Sequence, residues 1–440
     1  MINDLLTQDA TALLEMLQAK QITPRELAYA YYDHIQVNDT AIGAWEYIDK
    51  AVIDRQLKKI EALDPTAHPL WGLPVGIKDI YNTFDMPTQM GSPIWKDFTP
   101  GNDARVVHYL RRNGALILGK TATAEFAVHY QDKTRNPLDL TRSPGTSSSG
   151  SAAALAANMV PVTFGSQTAG SISRPASYCG IYGYKPTFGI LPRIGALKTT
   201  DSLDTLGFFT KSARDLKLIL DASRVHGKNY EFVHQYLDNY QPKGSTPFKI
   251  GIIKHPKWDL ADDVAKQRFF SAMKKIDHPD FHLEEVPYPK ELETIHDIHT
   301  TIYDKTLSYY FKEEYKKNTL ISPIFYDIIE RGMKISTQTY QEAIQKQAQL
   351  VTLMHTHFSQ YDLLLTLSTA REAPIGLTTP DTPDSNLIWT FLGMPTVSIP
   401  ALKGSSDLPI GILAISTKYN DYRLLEGVNK LEGFLCQKPQ

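Results

Sequence analysis

The sequence predicts an α/β fold. Two patterns carry this expectation: through the middle of the chain short apolar runs alternate with helix-patterned segments, and longer polar-faced helical stretches follow them. With 440 residues and 42% hydrophobic side chains there is ample material for a large core. No shift in composition reads as a flexible linker and no internal repeat is present, so one domain over 1–440 is the simplest organisation.

The elements follow in chain order. Leu5, Leu13, Leu14 and Leu17 share one helical face, and Thr23-Pro24 opens a further helix running through Ala30 and Ile35. Leu73 to Ile77 reads as a short buried strand that ends at Lys78. Asp103 to Arg112 is helix-patterned, with Asn113-Gly114 as its stop, and Ala115 to Leu118 is a short β run. Ser151 to Asn158 is alanine-rich and predicts a buried helix, after which Val160 to Phe164 predicts a strand leading towards Ser171.

The motif core spans about 70–215. Beyond it, about 224–362 reads as a variable helical insertion rich in Lys, Glu and Tyr, with a long helix over Tyr340 to His357 and one strand over Phe248 to Ile253. Strands at 363–366, 396–399 and 410–413 complete the expectation.

Bulk charge is nearly balanced, 46 basic against 48 acidic residues, which argues against a nucleic-acid partner. Two cysteines, Cys179 and Cys436, do not suggest a disulfide framework. The first residues lack a secretory signal pattern, and no apolar run approaches the roughly 18 residues of a membrane span. A cytoplasmic enzyme acting on a small molecule, with no membrane contact and a homodimer left open, is the expectation.

Three short stretches carry the chemistry: Gly76-Ile77-Lys78-Asp79, Gly145-Thr146-Ser147-Ser148-Ser149-Gly150-Ser151, and Ala169-Gly170-Ser171-Ile172-Ser173-Arg174-Pro175. A Ser/Gly run alone is more often a flexible loop. Here an apolar alanine helix follows at once, with serines available as its N-cap. Small residues at 168–171 let backbone approach a substrate closely, and the consecutive N–H groups of Thr168, Ala169, Gly170 and Ser171 would form an oxyanion hole. A lysine at the end of an apolar strand is expected to be partly buried, which lowers its pKa.

The order of these stretches resembles the amidase signature family. The similarity runs through 78–215, including Asn136-Pro137, Cys179-Gly180, Gly183-Tyr184-Lys185-Pro186-Thr187 and Ser202-Leu203-Asp204-Thr205-Leu206-Gly207. A weaker echo lies at Trp389 to Pro395 and Leu408 to Gly411. Gln167 to Ser171 and Arg174-Pro175 are similar to the malonamidase-like branch. Thr146 and Ser149 replace glycines of the commoner loop, and Ser173 stands where many members carry arginine.

The resemblance implies a single amidase-signature-type α/β domain, built on a mixed, twisted sheet of many strands with helices on both sides. It implies a Ser-cisSer-Lys triad in which Ser171 is the nucleophile, Ser147, after a cis peptide, the relay, and Lys78 the base. Amide hydrolysis through an acyl-enzyme follows, with no metal and no organic cofactor. Gln167 and Arg174 are candidate substrate-binding residues. Arg174 would pair with a substrate carboxylate or, alternatively, orient the Ser171 turn through a structural ion pair. An independent amidase is the main reading, and the amidase subunit of a tRNA-dependent amidotransferase is the alternative.

Two further patterns are set aside. Gly114 to Thr121 matches the P-loop spacing, but its Ala-Leu-Ile-Leu interior asks for burial as a strand, not for a phosphate cradle. The pairs His296/His299 and His355/His357 lack further ligands at metal spacing and read as solvated helix faces.

Overall fold

A computed structural model describes residues 2–128, 133–226, 235–242 and 247–436. Its frame is one 11-stranded mixed sheet. In chain order the strands are β1 (Trp45–Tyr47), β2 (Pro74–Lys78), β3 (Leu116–Thr121), β4 (Val162–Gln167), β5 (Tyr182–Lys185), β6 (Thr205–Thr210), β7 (Phe248–Ile253), β8 (Phe281–Val286), β9 (Leu363–Leu367), β10 (Thr396–Lys403) and β11 (Pro409–Ile415). Across the sheet the order is β1-β3-β2-β4-β6-β5-β10-β11-β9-β7-β8. Helices cover both faces, making a single α/β domain of the expected class.

Local chemistry explains the expected elements. Pro24–Ile42 is a helix because Thr23 caps it: its hydroxyl accepts from the Glu26 N–H while the Glu26 carboxylate accepts from the Thr23 N–H at 2.8 Å. Pro24 occupies the first turn, where its missing N–H is not needed. The helix at 103–112 starts slightly later than expected, at Arg105, and stops at Arg112 before Gly114, whose φ is +89°. The long helix Thr337–Phe358 brackets the expected one.

The strands that sequence patterning did not single out are β1, β5, β6 and β8. β1 is three residues long, too short for periodicity. β5 and β6 are buried throughout, so neither shows alternation. β8 is an edge strand and is partly exposed along its middle. The stretch 224–362 therefore holds two strands of the common sheet, β7 and β8, together with its helices.

β2 is sandwiched between β3 and β4, parallel to both, with Ile77 opposite Lys120 and Phe164. Lys78 and the 168–171 turn consequently leave the sheet at the same end, the carboxyl end of parallel strands, where ligand crevices form in such sheets. β6 runs antiparallel to β4, setting Thr205 opposite Gln167. The P-loop look-alike is a strand, as its apolar interior requires: Leu116–Thr121 is buried throughout.

Candidate active site

Lys78 is fully buried at the end of β2. Its Nζ lies 2.8 Å from Ser147 Oγ, 3.1 Å from Ser148 Oγ and 3.0 Å from Ser166 Oγ. No carboxylate among the described residues pairs with it. Burial therefore pushes the lysine well below its usual value of 10.5, and the charge of Asp204 acts in the opposite sense. A neutral amine offers two N–H donors and one lone pair. Ser148 hands its own proton to the Ser166 carbonyl at 3.2 Å, so its oxygen must accept from Lys78. That leaves Ser147 or Ser166 to donate into the lone pair.

The serine loop reaches this point through a cis peptide at Thr146-Ser147. The helix after it, Ser149–Ala156, has Ser148 at its N-cap position, but no side chain caps it. The expected N-cap serine is drawn away, because the Ser148 hydroxyl serves Lys78 and Ser166 instead. Gly165 makes that approach feasible, since a Cβ there would stand 2.8 Å from Ser148 Oγ.

Ser171 sits half-buried in the turn between β4 and the helix Ser173–Cys179. Its hydroxyl makes no hydrogen bond among the described residues. The turn itself is pinned on every side. The Gln167 side-chain oxygen accepts the N–H groups of Ile172 and Ser173 at 2.8 and 2.9 Å, and its amide nitrogen donates to Thr390 at 2.9 Å. The carbonyl of Thr168 accepts from His299 at 3.0 Å, and that of Ala169 from Thr390 at 2.7 Å. The N–H groups of Ala169, Gly170 and Ser171 meet no acceptor among the described residues.

Arg174 is buried and doubly paired, Nε to Asp384 at 2.7 Å and Nη1 to Asp381 at 3.0 Å. Asp381 in turn accepts from the Thr146 N–H and hydroxyl, at 3.3 and 2.5 Å. The guanidinium also lies against Gly170, where a Cβ would come within 2.6 Å of it. A cavity of about 720 Å³ opens beside these groups, touching Thr146, Ala169, Arg174, Tyr303, Asp381 and Leu387.

Sequence reading missed several of these residues. Ser148 and Ser166 are hidden among ordinary small residues, and Asp381 and Asp384 lie more than two hundred positions from Arg174. Register alone would have suggested Ser166, one residue before the end of β4. The reading of His299 as solvated is corrected: it is 4% exposed, packs over the 168–171 turn and stacks on Tyr303. His355 and His357 are exposed on their helix, as expected. Among the described residues no cluster of His, Cys, Asp and Glu could hold a metal ion. No helix there is long and apolar enough to cross a membrane.

Comparison with known proteins bears on the family of the chain. The chain is 30% identical to a glutamyl-tRNA(Gln) amidotransferase subunit of Alkaliphilus metalliredigens, over 96% of both chains. It superposes with a TM-score of 0.87 and 25% identity on a solved structure from a vestigial protein complex tied to the origins of an s-triazine catabolic enzyme, covering 97% of this chain and 98% of that one. The peptide amidase of Stenotrophomonas maltophilia shares the fold, with a TM-score of 0.82 and 22% identity over 98% of both chains.

The first of these corrects the expectation of a chain with no nucleic-acid connection and at most a second copy of itself as partner. A relative matched along its whole length is one chain of a multi-subunit enzyme, and that enzyme's name carries a tRNA. Balanced net charge reports only on this chain's own surface, so it could not exclude a nucleic acid handled within an assembly. The Amidase family model matches residues 26–425, and the chain belongs to the amidase family.

Proposed function

We propose that this chain hydrolyses an amide C–N bond as the amidase subunit of a tRNA-dependent amidotransferase, releasing ammonia for a partner chain. The observation that carries the chemistry is the buried Lys78 amine held by serine hydroxyls alone. The observation that supports the assembly is the full-length likeness to a glutamyl-tRNA(Gln) amidotransferase subunit.

In this reading Ser171 Oγ attacks the amide carbon and passes its proton to Ser147, whose own proton moves to the Lys78 lone pair. The carbonyl oxygen, now negative, takes the N–H groups of the 168–171 turn, each worth roughly 2.7–4 kcal/mol in comparable sites. Collapse breaks the C–N bond as the proton returns to the departing nitrogen. Water then attacks the acyl-enzyme by the same relay and releases the acid. Gln167 and Arg174 act as positioning residues. Gln167 holds the helix start after Ser171, and Arg174 ties the turn to the 381–384 segment.

A second reading, a freestanding amidase for small amides, is favoured by the cavity: about 720 Å³ is roomier than a glutamine side chain needs and includes apolar wall from Ile324, Ile328 and Leu387. Ammonia release separates the two. The chain is assayed alone on glutamine, aryl amides and fatty amides, then with the remaining subunits and glutamyl-tRNA(Gln). The amidotransferase reading expects glutamine turnover that rises sharply in the full mixture. Full turnover of a small aryl or fatty amide by the chain alone, unchanged by the mixture, would overturn it.

A further inference from the structure

Asp204 stands outside the Ser-Ser-Lys set, yet it is bonded to the 168–171 turn and shares a cavity with Ser166. It ends the loop before β6, and the β4–β6 register sets Thr205 opposite Gln167, so Asp204 faces Thr168. The side chain is 6% exposed. Its Oδ1 accepts from the hydroxyls of Thr168, Thr199 and Thr200 at 2.8, 2.6 and 2.8 Å, and its Oδ2 from the N–H groups of Thr199 and Thr200 at 2.7 and 2.9 Å. Five donors on two oxygens leave no place for a proton, so the group is a carboxylate held rigidly in place.

We infer that Asp204 is a positioning residue of the active site, a fixed buried anion that orients the 168–171 turn through Thr168 and shares a cavity with Ser166, whose hydroxyl meets the Lys78 amine. The hydrogen bond to Thr168 carries the first role, and the shared cavity with Ser166 carries the second. Thr168 is the first residue of the turn, and its carbonyl is already fixed on the other side by His299, so the Asp204 hydrogen bond completes the clamp. Burial lowers Lys78, and the negative charge of Asp204 acts in the opposite sense.

The other ionisable groups around this pair are accounted for. Asp79, next to Lys78, is paired with Lys120 at 3.1 Å. Tyr303, on the covering helix, is buried and pushed up by burial and by Asp204. Arg193 and Lys198 line a neighbouring cavity with Asp204, and Lys198 pairs with Asp201. Without Asp204 the ammonium form of Lys78 would lose a stabilising negative charge, and the base would become neutral at lower pH. The sign follows because a nearby negative charge favours the ammonium form.

This inference rests on the Ser171–Ser147–Lys78 mechanism, and its test is chosen to tell the two apart. The full chain is labelled with a fluorophosphonate, and the second-order rate at Ser171 is followed against pH by mass spectrometry, which needs no knowledge of the substrate. The wild type is expected to show one rising limb, absent in Lys78→Met. In Asp204→Asn the limb should move to lower pH and the plateau fall by about 10²-fold. Thr168→Val keeps the carboxylate but cuts its link to the turn. Its plateau should fall about tenfold with the limb in place.

A limb and plateau unmoved in folded Asp204→Asn would overturn the role of Asp204 alone. A limb unmoved while the plateau falls would overturn its electrostatic half. If Asp204→Asn does not fold, an unchanged plateau in Thr168→Val overturns the positioning role. A wild-type rate with no limb dependent on Lys78 would instead sink the triad mechanism itself.

Discussion

Lys78 and Lys120 lie on adjacent parallel strands, both fully buried, one residue apart in register, and they have opposite surroundings. Lys120 meets the Asp79 carboxylate at 3.1 Å, the Thr88 hydroxyl at 2.8 Å and the Pro87 carbonyl at 2.8 Å. Lys78 meets three serine hydroxyls and no carboxylate. Burial lowers both lysines. At Lys120 the Asp79 charge acts against that, while burial pushes Asp79 itself up to about 6. Burial by itself therefore does not make a base. A buried lysine given an anion is an ion pair that holds two strands together, whereas one given hydroxyls can shed its proton and take another.

The contrast can be broken most sharply at Lys78. Lys78→Ala should lower kcat/KM by at least roughly 10²–10⁴-fold, the range for losing a general base. Lys78→Arg should fail nearly as badly, because a guanidinium stays charged and cannot accept a proton. A folded Lys78→Arg protein with most of its activity would reduce Lys78 to the kind of structural cation Lys120 is. In the wild type kcat/KM should rise with pH along a limb centred below the free lysine value of about 10.4, since only the neutral amine works.

Stability should show the reverse ranking. Lys120→Met leaves Asp79 buried without its partner and should cost roughly 3–5 kcal/mol in denaturant titration. Replacing Asp79 by leucine in the same chain should recover much of that. Lys78→Met removes no ion pair and should cost far less. Between the lowered pKa of Lys78 and about 10.4 the unfolded chain holds a proton that the folded chain has shed, so wild-type stability rises with pH across that window. Lys78→Met should lack this slope. An identical slope in both proteins would show that Lys78 titrates normally.

Arg174 offers a third comparison, this time within the site. Its pairs with Asp381 and Asp384 are buried like that of Lys120, so Arg174→Ala should act through the turn and depress acidic and neutral amides alike. A selective rise in KM for acidic amides would restore the substrate-carboxylate role. The smallest effect belongs to His299→Phe, which keeps the ring against Tyr303 but drops the hydrogen bond to Thr168. It should cost about 1 kcal/mol of stability and only a few-fold in kcat, measured by thermal melting and by labelling of Ser171.

Much of this was legible in the chain because it is local. Lys78 at the end of an apolar strand, the alanine helix after the serine loop and the small-residue turn at 168–171 each follow from propensity and periodicity over a handful of residues. The P-loop look-alike could be dismissed on the same ground, its interior being wholly apolar. The strands that escaped are those with no period to read: β1, three residues long, β5 and β6, buried on all sides, and β8 at a sheet edge.

What the sequence alone determined is thus the α/β class and the three short segments around Lys78, Ser147 and Ser171 with their order, since these depend on neighbours in the chain. Tertiary structure decided what each side chain meets. It brings Ser166 and Ser148 to Lys78, sets Asp204 behind Thr168, and closes Arg174 onto two aspartates more than two hundred residues away. The physical reason is that the proton affinity of a buried amine is set by the solvent it has lost and the dipoles and charges packed around it. Those are properties of the assembled sheet, absent from any short stretch of the chain.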